Sequence, residues 1–180
     1  MSVVIAVVIF AVGIAVGWFV RGSNSLPSDV PTVAVYDGWR LSCPAASQAD
    51  RSCAISNDLQ DSKSGRRIAQ MVIARGKTGP VLVVTVPFDV LLPAGVGLAV
   101  GDAKPRTYPY QICNQSGCIA EIPFGDDLRA AMHQPGQGKL IVASLSRKSV
   151  SILFPLKGFA RADEAMSSRQ NGHNLFGMAS

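Results

Sequence analysis

Four cysteines are the residues of this sequence best suited to chemistry, and they fall into two local pairs. Nine residues separate Cys43 from Cys53, and four separate Cys113 from Cys118. Four cysteines allow three disulfide connectivities, and sequence spacing cannot choose among them. A structural zinc site is the main alternative, but the first interval is longer than a zinc knuckle, and the Cys-x-x-Cys of a redox site is absent. Two bridges between neighbouring cysteines are the simplest prediction.

Histidines and paired carboxylates offer little catalytic chemistry. His133 and His173 are the two histidines of the chain, and no Gly-x-Ser-x-Gly turn accompanies them, so a Ser-His-Asp site is not predicted. We expect His133 to lie at a helix end, where it complements the helix dipole, or on the surface. Adjacent acids commonly begin a helix, which makes Asp126 the expected N-cap and Asp127 its neighbour in the first turn. The sequence therefore favours a protein that is not an enzyme and needs no cofactor, metal or small-molecule substrate.

Residues 3–20 form an uninterrupted apolar run that ends before Arg21. As a helix this run would reach roughly 27 Å, close to the hydrocarbon thickness of a bilayer. We expect a single transmembrane anchor at residues 1–22, in which Gly13 and Gly17 have the spacing of a close helix–helix contact. A cleaved secretory signal is the alternative, although no basic residue precedes the run and no small-x-small cleavage site follows it.

The compartment follows from combining the apolar run with the cysteines. Stable disulfides need an oxidising environment, so the body of the protein is expected on the far side of the membrane. For a bacterial protein this predicts a single-pass inner-membrane protein with its domain in the periplasm. The lone Arg21 favours the opposite orientation, but one charge is weak support.

Short strands separated by turns dominate the rest of the chain. Residues 23–32 are predicted as a polar linker, residues 33–166 as an all-β domain and residues 167–180 as a flexible tail. Many short strands at hairpin-like spacing indicate an antiparallel β-sandwich, here stapled by disulfides and preceded by the transmembrane helix. The expected strands are Trp39–Ser42, Cys53–Leu59, Ile68–Arg75, Val81–Val86, Gly97–Val100, Tyr108–Cys113, Cys118–Pro123, Lys139–Ser146 and Ser149–Phe154.

The composition of individual segments refines this sandwich. Val81–Val86 does not alternate between apolar and polar residues, so we expect it to be buried on both faces near the sheet centre. The apolar stretch Phe88–Leu92 lies between two prolines and predicts a corner. Short helices are expected at Asp127–His133 and Ala160–Met166. Three aromatic residues are expected in the core or against a disulfide: Trp39, Tyr108 and Tyr110.

Basic residues exceed acidic ones by 17 to 12, which gives a net charge of +5. Nucleic acid is not expected as a partner outside the cytoplasm. Anionic lipid headgroups or an acidic partner are alternatives to a plain solvated surface. Glycines near residue 97 lack the Gly-Lys-Ser/Thr ending of a phosphate loop and predict turns (Gly95, Gly97, Gly101). The basic residues that could contact such a partner fall mostly near turns and are Arg66, Arg67, Arg75, Lys77, Lys104, Arg106, Arg147 and Lys148.

Several short motifs in a fixed order resemble the invasion-associated locus B family of bacterial envelope proteins. Together they cover about Trp39 to Met166, and their combination is specific although each alone is weak. They are Trp39 with Cys43 and Cys53, Pro87 with Leu91–Leu98, Tyr110–Cys113 with Gly117–Ala120, and Leu156–Phe159 with Ala162.

The resemblance implies an envelope-associated β-sandwich with no established catalytic activity. Many members look secreted, whereas this chain is expected to keep its anchor. We therefore predict a membrane-anchored accessory protein that docks to another envelope protein or an inner-membrane complex. The tail residues Asn174–Met178 are expected to be frayed, with a short docking segment as the alternative. A secreted virulence factor that engages host surfaces is the alternative function.

Overall fold

The structure, a computed structural model, describes residues 30–48 and 52–176. Within these ranges eleven strands form two antiparallel sheets, accompanied by two α-helices and two short 3-10 turns. The strands are β1 (Thr32–Tyr36), β2 (Trp39–Cys43), β3 (Ala54–Gln60), β4 (Arg67–Arg75), β5 (Pro80–Val86), β6 (Val96–Val100), β7 (Arg106–Tyr108), β8 (Tyr110–Asn114), β9 (Gly117–Pro123), β10 (Gln137–Ala143) and β11 (Ser149–Pro155). The helices are α1 (Asp126–Met132) and α2 (Phe159–Phe176), and the 3-10 turns are Ala46–Gln48 and Leu92–Ala94.

The strands divide between a seven-stranded sheet and a four-stranded sheet. The large sheet has the order β1-β2-β3-β4-β5-β9-β8, and the small one has the order β11-β10-β6-β7. All neighbouring strands are antiparallel, so the domain is the two-layered, disulfide-containing β-fold that the sequence predicts.

One predicted strand is divided between the two sheets. The sequence predicts a single strand Tyr108–Cys113, whereas the chain leaves β7 in the small sheet at Tyr108 and enters β8 in the large sheet at Tyr110. Pro109 lies between them, and proline has no N–H to donate to a strand ladder. The same piece of backbone therefore links the edges of both sheets.

The core fills the space between the sheets. The prediction that Val81–Val86 is buried on both faces was wrong. This strand lies inside the large sheet, but its side chains alternate: Leu82, Val84 and Val86 are fully buried, whereas the opposite face is half-buried. The small sheet covers only one face of the large one, so the outer face keeps contact with solvent. The strand whose residues are all buried is β6.

Strand β1 was not predicted, because its five residues follow directly on the Pro-rich linker and expose Val33 and Val35. It pairs with β2 along its whole length, through a turn at Asp37 and Gly38 that has left-handed backbone angles. The predicted linker of residues 23–32 thus ends in the first residue of a strand.

Both predicted helices exist, with different ends. Helix α1 begins at Asp126, which is its first helical residue; the N-cap is Gly125, in extended conformation and without a side-chain cap. The prediction of Asp126 as N-cap was therefore wrong. Asp126 and Asp127 nevertheless lie in the first turn, where carboxylates oppose the positive end of the helix dipole.

Helix α2 extends far beyond the predicted Ala160–Met166. It continues to Phe176, through residues that the sequence predicts as a flexible tail. Its first residue, Phe159, is fully buried, with its ring centroid 5.1 Å from that of Trp39 and 6.0 Å from that of Phe124, both edge-on. The indole Nε1 of Trp39 donates to the carbonyl of Pro155 at 3.0 Å, which ties β2 to the end of β11, just before α2 begins.

Among the described helices, none has the length and apolarity needed to cross a membrane. The predicted anchor, including Gly13 and Gly17, lies outside the described residues.

Candidate functional site

Both disulfides join neighbouring cysteines, which are the pairs that the sequence favours. Cys43, at the end of β2, is bonded to Cys53, just before β3, and both residues are buried. Cys113 and Cys118 cross-link β8 to β9 near the tip of their hairpin. In this second pair Cys118 is buried, whereas Cys113 is exposed. The second bridge thus lies at the boundary between core and solvent.

An apolar groove of about 450 Å³ adjoins the second disulfide. This volume falls within the range of about 300–1,000 Å³ that is typical of ligand pockets. Each lining residue is apolar or half of the disulfide: Phe88, Val90, Leu91, Leu92, Pro93, Cys113, Cys118 and Leu145. The groove therefore suits an apolar side chain rather than a polar metabolite.

The topology explains why these residues meet. Cys113 and Cys118 belong to the large sheet, and Leu145 belongs to the turn between β10 and β11 of the small sheet. The segment from Phe88 to Pro93 is the connection by which the chain crosses from β5 to β6, hence from the large sheet to the small one. The groove is consequently the mouth of the sandwich at one end, between the two layers.

The crossing segment, Phe88 to Pro93, is held to the end of β10 by backbone contacts. Val90 is buried and forms an isolated bridge with Ser144, and the Leu91 N–H donates to the Ala143 carbonyl at 2.8 Å. These contacts confirm the predicted corner at Phe88–Leu92.

Three large apolar side chains around the groove are exposed. Phe88 is 56% exposed, Leu92 is 50% exposed and Leu145 is 67% exposed. Clustered exposure of large apolar side chains is typical of interaction surfaces, because water contact with apolar surface is unfavourable.

Two cations stand beside Leu145 in the turn between β10 and β11. The Ser144 N–H donates to the Lys148 carbonyl at 2.9 Å, and the Arg147 N–H donates to the Ser144 carbonyl at 2.8 Å, so the turn is closed. Arg147 and Lys148 are exposed, and among the described residues neither has a carboxylate within 4.0 Å. Asp89, which follows the groove residue Phe88 in sequence, is exposed too. The groove thus has an apolar lining, and the turn that contributes Leu145 to it carries two positive charges without an ion-pair partner in the described chain.

A buried ionic cluster joins the two helices elsewhere in the molecule. The Asp163 carboxylate is almost completely buried; its Oδ2 lies 2.8 Å from His133 Nε2 and 3.8 Å from Arg129 Nη1. The second oxygen, Oδ1, has no hydrogen-bond partner. The His133 ring also stands edge-on to Phe159, at 5.5 Å between centroids. His133 thus holds α1 against α2. The sequence predicts only a position at a helix end or on the surface for this residue, because its partner Asp163 is distant in sequence.

Among the described residues, two ionisable groups have shifted pKa values. Burial raises the pKa of the Tyr110 hydroxyl above its ordinary value of 10.0, and this oxygen has no hydrogen-bond partner. Hydrogen bonds from the Ser64 hydroxyl and the Ser64 N–H, both at 2.7 Å, lower the pKa of the exposed Asp61. Neither group lines the groove, and among the described residues no three metal-binding side chains come together.

The predicted aromatic residues divide between core and rim of the domain. Trp39 is fully buried, as predicted, whereas Tyr108 and Tyr110 are half-buried and pack against the core from its edge. His173 lies in the last part of α2.

Comparisons with known proteins agree with this fold. The sequence profile of one family, described as invasion associated locus B (IalB) protein, matches residues 39–167. Among solved structures three chains match significantly. One is the crystal structure of invasion associated protein B from Bartonella henselae, which is 21% identical; the match covers 78% of this chain and 99% of that chain, with a TM-score of 0.64. Among curated protein sequences no significant match was found.

Proposed function

Because this chain belongs to the invasion associated locus B family, we propose that it is a non-enzymatic accessory protein that docks to another envelope protein through the apolar groove. In this proposal residues 1–22 anchor it in a bacterial inner membrane, and the β-domain works in the periplasm.

The groove is the observation that carries the proposal. Phe88, Leu92 and Leu145 expose half or more of their surface around an open apolar groove. Complete burial of such a side chain from full exposure is worth about 1.5–3 kcal/mol, so covering each of these gains roughly half of that. Aromatic residues such as Phe88 are enriched in protein–protein interfaces relative to the rest of the surface. A protein partner that covers these three residues would gain more than a polar ligand could.

Two features support the periplasmic side of the membrane. The two disulfides need an oxidising compartment to persist. The apolar run of residues 3–20 supports the anchor, which restricts the domain to two dimensions and raises its effective concentration near a membrane partner.

Site-specific photo-crosslinking in living cells tests the docking. A photoreactive phenylalanine analogue replaces Leu145 in the full-length chain, and a second variant carries it at Lys63, an exposed turn position outside the groove. We expect illumination to join the Leu145 variant, and not the Lys63 variant, to one defined protein. Equal crosslinking at both positions, or adducts to lipid alone, would contradict the proposal.

The secreted virulence factor remains the second candidate, because this chain spans almost all of the Bartonella protein's length. Sequencing the N-terminus of the mature protein distinguishes the two functions. An intact first residue supports the anchored protein, whereas a new N-terminus after the apolar run supports secretion.

A further inference from the structure

We propose that the groove receives a protein segment with two or three adjoining apolar side chains and with acidic residues at its flank that pair with Arg147 and Lys148. This inference rests on the proposed function, because it names the class of partner for the same groove.

The shape of the groove requires a partner with protruding side chains. Its interior lies between the crossing segment, the disulfide and Leu145, and its volume is about 450 Å³. A side chain that enters this open groove replaces water along its apolar walls, whereas a flat hydrocarbon surface would contact mainly the exposed side chains at its edge. The concave form therefore favours a protein over a bilayer.

The unpaired cations define the charge of that partner. Arg147 and Lys148 are held close to Leu145 by the closed turn, yet no carboxylate of the described chain neutralises them. A partner carboxylate at this rim would gain attraction without breaking an existing ion pair. This turn therefore offers two positive charges to a partner.

A second copy of the chain is disfavoured by the same charges. A symmetric contact over the groove would bring two basic turns together, and each chain carries a net charge of +5. Like charges that face each other across an interface oppose association.

Fluorescence-anisotropy titration of the full-length protein in a nonionic detergent tests the inference. The probes are two labelled peptides that share a Leu-Phe-Leu core and differ only in their flanks, Glu in one and Lys in the other. We expect the Glu peptide to bind about tenfold more tightly, the difference that two exposed ion pairs can supply. Raising the salt from about 50 to about 500 mM should reduce that difference.

Charge variants provide the decisive comparison. Arg147 has a positive φ of 59°, which Asn and Asp adopt more readily than other residues, so R147N/K148Q and R147D/K148E should fold. The first should remove the preference for the Glu peptide, and the second should reverse it. The matched control K63Q/R66Q removes two charges from an exposed turn outside the groove and should leave the preference unchanged.

The outcomes separate this inference from the proposed function. If both peptides bind equally and Leu145→Asp abolishes both, the groove docks apolar segments but the acidic flank is wrong. If Leu145→Asp changes neither peptide's binding, the groove is not the docking surface and both proposals fail. Binding to vesicles of phosphatidylglycerol and phosphatidylethanolamine without peptide binding, or self-association that Leu145→Asp abolishes, would replace the protein segment by a bilayer or a second copy.

Discussion

Asp163 is the residue on which the contact between the two helices depends. A carboxylate taken out of water is strongly unfavourable unless it is paired, and here one histidine nitrogen and one more distant guanidinium supply the pairing. Because Oδ1 already has no hydrogen-bond partner, the loss of a partner of Oδ2 should lower the free energy of unfolding substantially.

His133→Ala is therefore expected to destabilise the domain by about 2 kcal/mol, since it leaves Asp163 buried without its closest partner. Arg129→Ala should cost less than half of that, because its guanidinium lies 3.8 Å away and is one-third exposed. Urea denaturation of each variant measures both values. In Asp163→Asn, which removes the charge, a further His133→Ala should cost less; an equal cost in both backgrounds would show that His133 acts through packing alone.

Tyr110→Phe should stabilise the domain by about 1 kcal/mol, because it removes a buried hydroxyl that has no partner. The effect should grow with pH. The raised pKa of Tyr110 means that folding favours the neutral hydroxyl. The wild-type protein therefore keeps its full stability below the unfolded pKa of about 10 and loses some of it as the pH rises through the folded pKa. The phenylalanine variant has no such loss. Denaturation midpoints at about pH 8 and about pH 11 measure this. A gap between wild type and variant that narrows at the higher pH would contradict the assignment.

At the scale of elements, one glycine controls how β10 and β11 meet the core. Gly138 pairs with Phe154 across the two strands, and the fully buried Phe154 ring occupies the space that a side chain at position 138 would need. Gly138→Ala should therefore cost about 3 kcal/mol through overpacking. The matched control is Gly125→Ala, where the space is open and φ is −76°; it should cost at most about 1 kcal/mol. Thermal unfolding of both variants tests the difference, and similar costs would refute it.

The disulfides should contribute unequally. The chain-entropy description gives about 3 kcal/mol for Cys43–Cys53 and about 2 kcal/mol for Cys113–Cys118, because the first closes the longer loop, with a sequence separation of 10 against 5. Unfolding free energies of Cys43→Ser/Cys53→Ser and Cys113→Ser/Cys118→Ser measure this order. The second variant should in addition weaken binding at the groove, whereas the first should not.

Most strands could be predicted because alternating apolar residues and turns are local signals. β4 and β5, for example, were each expected within one residue of their observed start. β1 was missed because its core-facing side chains are few and a Pro-rich segment precedes it. The long α2 was missed because a polar composition such as that of residues 167–176 predicts little burial, yet a helix satisfies its backbone hydrogen bonds without burial.

At the scale of the whole molecule, the groove could not be predicted from sequence. Its lining comes from the crossing segment, two cysteines of one hairpin and Leu145, and only the folded sheets bring these together. The corner at Phe88–Leu92 and the Cys113–Cys118 pair were foreseen separately. The exposure of Phe88, Leu92 and Leu145, which makes these elements a surface, has no local signal in the sequence.

The compartment can be tested on the intact protein. In whole cells a membrane-permeable maleimide should label none of the four cysteines before reduction and all four afterwards, because all are bonded in the fold. Labelling without reductant would show that the domain faces the reducing cytoplasm. A cysteine introduced at the exposed Ser62 serves as control for reagent access.

The two long sides of the sandwich are both closed by continuous backbone. The passage from β7 to β8 through Pro109 closes one side, and on the other α2, which follows β11 after the tight turn at Gly158, lies over β1, β2 and β3. A partner that inserts a side chain into the groove must therefore approach from that end of the sandwich. It contacts the loops that line the groove instead of the faces of the strands. Changes in the length or side chains of these loops would then alter which partner is bound while the two-layered sandwich behind them stays the same.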